Sequence, residues 1–284
     1  PDRPEAQFLG ALKNRAGGIK NPWLERRPIG RRSLCRRMTT FLLIHGGWHG
    51  GWAFRAVAIH LQKAGHEVYR PTLAGVAERA WEARLGINIQ THVDELKALV
   101  DWEDLDDIVL VAHSYGGFVA TALADAIPER FRAIVYLDSF VAEDGDTPFR
   151  LVPRPESLVV DTAGDDGLTM KLRPGDAMSR DIDHGRRVAG YQIVHPVGTM
   201  MQRIRLSGRY KEIPKKAYIL AVGGDGNSQE PHFQRYHQAA TQHPEWDAYT
   251  LSGGHNLMLD DPVGVAAILR RYSDDNDESI ADDV

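Results

Sequence analysis

The chain has 284 residues, 43% of them hydrophobic and 26% charged, proportions that suit one large globular domain with an insertion. No run approaches the roughly 18 apolar residues of a membrane-spanning helix, and a single cysteine, Cys35, excludes an internal disulfide and fits a reducing, cytoplasmic setting. Ten basic and three acidic side chains fall in residues 1–37, so the net charge of −5 hides a strongly acidic remainder that is a poor match for nucleic acid.

The basic arm lacks the apolar stretch of a secretory signal. It is rich in arginine and poor in acids, as organelle transit peptides are, but it is also short of serine. Met38 directly precedes the first predicted strand and is the expected natural start, which leaves residues 1–37 outside the core.

Beyond the arm, short apolar runs alternate with helical patterns. Strands are predicted at Thr40–Ile44, Glu67–Arg70, Ile108–Ala112, Ala133–Leu137, Ala217–Val222 and Ala248–Leu251. Several are apolar on both faces, as central strands of a parallel sheet must be. Ile89, Val93, Leu96 and Val100 share one helical stripe. A second helix runs from Phe118 to Ile127 and stops at Pro128, and a last one opens at Pro262 behind Asp261. The fold class is therefore α/β: a doubly wound, mostly parallel sheet with ligands at the carboxyl ends of its strands. The core is expected over 38–139 and 214–272. Residues 140–213, rich in Pro, Gly, Asp and Arg, are expected to form a cap, and 273–284 a solvated acidic tail.

Three segments carry chemistry. The first in the argument is Leu-Val-Ala-His-Ser-Tyr-Gly-Gly at 110–117, where a strand turns straight into a helix. A serine at such a bend projects its hydroxyl above the sheet edge beside the positive end of the helix. The usual pattern is Gly-x-Ser-x-Gly; here Ala112 keeps the first position small, and Ser114 is the candidate nucleophile.

Serine needs a base, and the base an orienting acid. Leu-Ser-Gly-Gly-His at 251–255 places His255 in a loop after the last strand. Of twelve histidines it is the one in the expected place, and most of the others are expected to be surface or packing residues. Asp225, two glycines beyond the strand Ala217–Val222, suits the usual order of serine, acid, histidine. Asp138, at the end of the preceding strand, is the alternative.

The third segment is Ile-His-Gly-Gly-Trp-His-Gly-Gly-Trp at 44–52. Attack on an ester carbonyl creates an oxyanion that needs unobstructed backbone N–H donors. Gly47 and Tyr115 are the candidates. His45 and His49 have the spacing of a metal pair only in a helix, which the glycines deny, so no metal or cofactor is expected. Trp48, Phe140, Met200 and Leu257 are candidates for an apolar substrate pocket.

With Phe-Leu-Leu-Ile-His-Gly-Gly-Trp-His-Gly-Gly-Trp at 41–52, Ala-His-Ser-Tyr-Gly-Gly at 112–117, Tyr-Leu-Asp-Ser-Phe at 136–140, Asp225 ahead of Phe233-Gln234-Arg235, and Gly-Gly-His at 253–255, residues 38–272 resemble the α/β-hydrolase superfamily. More narrowly they resemble its methylesterase and hydroxynitrile lyase group. The resemblance implies an eight-stranded sheet, of which six strands are legible, and a mostly helical cap. It also implies a threonine at Gly46 and a lysine at Asn256 in the lyases; neither is present, which favours ester hydrolysis. The expected activity is that of a serine esterase, cleaving a small or medium carboxylic ester through an acyl-enzyme. Hydroxynitrile lysis, cofactor-free oxygenation and a non-catalytic small-molecule receptor are the alternatives on the same scaffold. A homodimer through the cap is compatible with all of them.

Overall fold

A computed structural model describes residues 38–83, 86–151, 161–171, 194–223 and 231–273. The chain divides between residues 35 and 36, and the description concerns the larger unit. Its strands are β1 (Thr40–Ile44), β2 (Glu67–Tyr69), β3 (Ile108–Ser114), β4 (Phe131–Ser139), β5 (Thr169–Lys171), β6 (Val194–Pro196), β7 (Lys215–Val222) and β8 (Trp246–Ser252). Six of them, in the order β2-β1-β3-β4-β7-β8, pair in parallel throughout. All six are the predicted strands. β3, β4, β7 and β8 extend past the apolar runs that announced them, because ladder hydrogen bonds continue into polar residues.

β1 and β3 to β4 are almost wholly buried on both faces, as strands covered by helices must be. One face carries α1 (Arg55–Lys63), whose Val57, Ala58 and Leu61 pack with Val265, Ala266 and Leu269 near the C-terminus. The opposite face carries α2 (Ile89–Trp102) and α3 (Gly116–Ala126), with the predicted stripe Ile89, Val93, Leu96 and Val100 buried against the sheet. Asn88 opens α2 with a reciprocal cap: its side chain accepts from the Thr91 N–H, and the Thr91 hydroxyl accepts from the Asn88 N–H. The chain then resumes after β7 as α4 (Pro231–Gln242) and, behind the Asp261 cap, α5 (Pro262–Leu269).

The strand order reverses between β1 and β3, with β2 on one side and the rest of the sheet on the other. Loops leaving the carboxyl ends of those two strands diverge to opposite faces and leave a crevice. Gly47 and Ser114 stand at its rims. The segment between β4 and β7 contributes β5 and β6, an antiparallel pair of their own. Its return to the sheet is fastened by Asp125 of α3, which accepts from the N–H groups of Ser207, Gly208 and Tyr210 and from the Ser207 hydroxyl. Among the described residues no helix is long and apolar enough to cross a membrane.

Candidate active site

Ser114 ends β3 with φ 52°, in the left-handed region that a residue with a side chain rarely adopts. Its strain is held by close packing behind it. A Cβ on Gly117 would lie 1.9 Å from the carbonyl oxygen of Phe140, so only glycine lets α3 approach β4 this closely. The carbonyl of Ser114 accepts from the Phe140 N–H and from the Ser139 hydroxyl, fixing the bend from the neighbouring strand.

A bulge in that neighbouring strand shapes the rest of the site. His113 pairs with Leu137 and Ser114 with Ser139, which leaves Asp138 as the extra residue, with φ 41°. The bulge turns the Asp138 carboxylate toward the loop after β8. Its Oδ2 lies 2.6 Å from Nδ1 of His255, and its Oδ1 accepts from the Ala221 N–H. Both side chains are nearly inaccessible. Asp225, the acid preferred on chain order, lies outside the described residues.

His255 stacks on Phe233, with ring centroids 5.1 Å apart and an interplanar angle of 6°. It shares one cleft with Ser114, Gly47 and Tyr115, so the predicted nucleophile, base and oxyanion donors face the same space. Trp48, Phe140 and Met200 line it as predicted, together with Phe149, Met170, His232 and Phe233. The cleft has a volume of ≈ 120 Å³, on the order of what holds a single aromatic ring. No Lys, Arg, Asp or Glu is among its described lining residues. Leu257 is elsewhere: it opens a helical turn that rotates it into the core with Phe41, Leu43 and Met258.

The histidines depart from expectation. Seven of the eleven histidines among the described residues are buried, and several hold the backbone of the site rather than simply packing. His45 donates from Nδ1 to the Gly46 carbonyl and accepts at Nε2 from the Leu73 N–H. His49 donates to the Gly47 carbonyl, and His113 donates from Nε2 to the carbonyl of His255. His92 donates to the Ala74 carbonyl and accepts from the Tyr115 hydroxyl. His195 accepts from the Trp48 N–H. The rings of His45 and His195 accept from a backbone N–H and so are neutral. The backbone carbonyls that His45 and His92 donate to favour the charged form, but burial outweighs them and holds His45 down at about 3 and His92 at about 4. No group of three or more metal-ligating side chains is assembled among the described residues. Sequence patterning could not find these struts, because a histidine on a backbone carbonyl has no spacing of its own.

The chain matches the sequence pattern described as the alpha/beta hydrolase family over residues 41–268. A carbendazim hydrolyzing esterase from a Nocardioides strain is 33% identical over 239 residues, covering 81% of this chain and 97% of that protein. Methylesterase 7 of Arabidopsis thaliana is 33% identical over 120 residues, covering 38% of this chain and 42% of that one. Among solved structures, an extracellular alpha/beta-hydrolase from a Paenibacillus species superposes with a TM-score of 0.70 at 22% identity, covering 84% of this chain and all of that one.

Proposed function

The chain belongs to the alpha/beta hydrolase family, and from that premise we propose that it hydrolyses a small, uncharged carboxylic ester through an acyl-enzyme on Ser114. The observation that carries this reading is the Asp138–His255 pair, 2.6 Å apart, whose imidazole lines the same cleft as Ser114.

Ser114 attacks the carbonyl carbon while His255 takes its proton at Nε2. Asp138, rather than Asp225, holds Nδ1–H and so fixes the tautomer that leaves Nε2 basic. The developing oxyanion is received by the N–H groups of Gly47 and Tyr115, dipoles already in place before the reaction. The alcohol leaves with the proton from His255. Water then enters and attacks the acyl carbon while His255 takes its proton. His255 passes that proton to the departing Oγ of Ser114, which releases the acid and restores the free hydroxyl.

An uncharged, aromatic-lined cleft supports a neutral substrate with a planar or small apolar group beside the carbonyl. The residues inserted between β4 and β7 act as the cap, with Met170, Met200 and Phe149 as its contribution to the wall. The names of the relatives, an esterase and a methylesterase, support the same reaction type. Lyase chemistry is disfavoured on steric grounds as well as on sequence. A Cβ at Gly46 would stand 2.6 Å from Nδ1 of His113 and 2.9 Å from Cβ of Ser114, so the threonine of the lyases does not fit this site.

The test is a panel of p-nitrophenyl, methyl and aryl esters together with a fluorophosphonate probe. Rapid labelling of Ser114 and a fall in kcat on the order of 10⁴–10⁶-fold in Ser114→Ala are expected. Folded protein that neither labels nor turns over any ester would refute hydrolysis and favour a receptor.

A further inference from the structure

Resting on the esterase reading, we propose that His195, delivered from the segment between β4 and β7, is a positioning residue for the oxyanion donor at Gly47. Gly47 has no side chain to restrain it, so the direction of its N–H depends on what holds the two peptide planes around it. The plane joining Gly46 to Gly47 contains the donor N–H itself, and its carbonyl is held by Nδ1 of His45 at 2.7 Å. The plane joining Gly47 to Trp48 is held at both ends. Its carbonyl accepts from Nδ1 of His49 at 2.7 Å, and its N–H, that of Trp48, donates to Nδ1 of His195 at 3.4 Å.

Trp48 itself has φ 60°, a left-handed conformation that a bulky residue keeps only when its surroundings impose it. Those surroundings are one rung of the β5–β6 pair. Met170 is paired with His195 in that rung; the Met170 carbonyl accepts the indole Nε1–H of Trp48 at 3.1 Å while His195 takes its backbone N–H. The His195 ring, wholly buried, also lies edge to face with Tyr115, the other oxyanion residue, at 4.8 Å between centroids. Accepting at Nδ1 leaves the proton on Nε2, which has no hydrogen-bond partner among the described residues. A buried N–H without a partner is costly. The packing therefore favours the acceptor role at Trp48 over satisfaction of the other nitrogen. The consequence is that the donor geometry at Gly47 is complete only when the β5–β6 rung is docked on Trp48.

Two variants of similar polarity separate this role from general packing. His195→Asn keeps a carbonyl oxygen near the position of Nδ1, whereas His195→Gln moves it toward Nε2. With a p-nitrophenyl ester, His195→Gln should lower kcat about 10–100-fold with KM little changed. Affinity for an arylboronic acid, which forms a tetrahedral adduct on Ser114, should weaken by a similar factor. His195→Asn should stay within about fivefold of the parent on both measures. Equal losses in the two variants, a loss confined to KM, or no loss in His195→Gln would overturn the proposal. Hydrogen exchange at the Trp48 amide reads the latch without any ester: protection should survive in His195→Asn and fall at least about tenfold in His195→Gln. Equal protection in both variants and the parent would also overturn it. A parent enzyme inactive on every ester would instead sink the hydrolase reading and leave the exchange result to judge the latch.

Discussion

Asp138 reaches His255 because β4 contains one residue too many. The bulge opposite the His113–Ser114 step makes Asp138 the unpaired residue and gives it φ 41°, and its carboxylate meets Nδ1 of His255 at 2.6 Å. Asn also tolerates this backbone region, so Asp138→Asn should fold normally and leave the Ala221 contact intact. It would present the wrong hydrogen-bonding group to the imidazole and let the inactive tautomer form. We expect kcat to fall on the order of 10⁴-fold, while Asp225→Asn stays within about tenfold of the parent. Steady-state kinetics on both variants decides; the reverse ranking would return the acid to Asp225.

The close approach at Gly46 yields a second prediction. The missing Cβ is what allows the His113 ring and Ser114 to pack behind the oxyanion loop, and His113 must stay there because it holds the carbonyl of His255. Gly46→Ala should cost about 1–3 kcal/mol in stability through overpacking and lower kcat at least about tenfold by displacing His113 or the loop. Urea unfolding and ester kinetics measured together check this. An alanine variant with unchanged stability and turnover would mean the site relaxes freely there.

How far the sequence disclosed this site depends on what each feature needs. Ser114 and His255 were legible because a strand–turn–helix and a Gly-Gly loop leave local signatures, and the six strands because their apolar runs are long and bounded by breakers. The proposed acid is a different matter. Chain order pointed to Asp225, and nothing in Tyr-Leu-Asp-Ser-Phe distinguishes a strand-end aspartate from one extruded by a bulge, which depends on the register against β3. Leu257 shows the same limit. It lies two residues from His255, but the helical turn it opens carries it to the opposite face of the sheet. Met200 and Met201 are adjacent in sequence, yet only the first lines the cleft and the second is largely exposed, since successive helical residues point about 100° apart.

The buried histidines make stability depend on mild acid. His45 is held down at about 3 and His92 at about 4, burial being the largest cause in each, and burial likewise holds His113 and His195 well below 6.5. In the unfolded chain these imidazoles titrate at 6.5. Their folded-state values are depressed, so the stability they contribute is full above 6.5 and is lost as pH falls toward 4 and then 3. Each should cost about 1.4 kcal/mol per pH unit once below 6.5. Urea midpoints should therefore drop clearly between pH 7.5 and pH 5, and His92→Gln should make the slope shallower by one proton. A flat profile over that range would show that the rings charge without unfolding the protein.

Asp125 gives the complementary case at lower pH. Burial alone would raise its carboxyl, but the N–H groups of Ser207, Tyr210 and Gly208 and the Ser207 hydroxyl outweigh it and hold the group below its ordinary value. A depressed carboxyl contributes stability that is full above the unfolded value near 4 and is lost as pH falls through the folded value. Asp125→Asn removes the charge and sets an amide N–H against backbone N–H groups, so it should destabilise at pH 7 by about 3 kcal/mol. The gap between parent and variant should begin to narrow below about 4, where the unfolded chain takes up the proton, and close as pH falls through the lower folded value. Because the bond network ties the return of the inserted segment to α3, native-state hydrogen exchange should rise first at residues 207–210. A gap that is constant between pH 7 and pH 3.5, or exchange that rises uniformly over the whole chain, would mean that Asp125 is only one polar contact among many and not the fastening point of that segment.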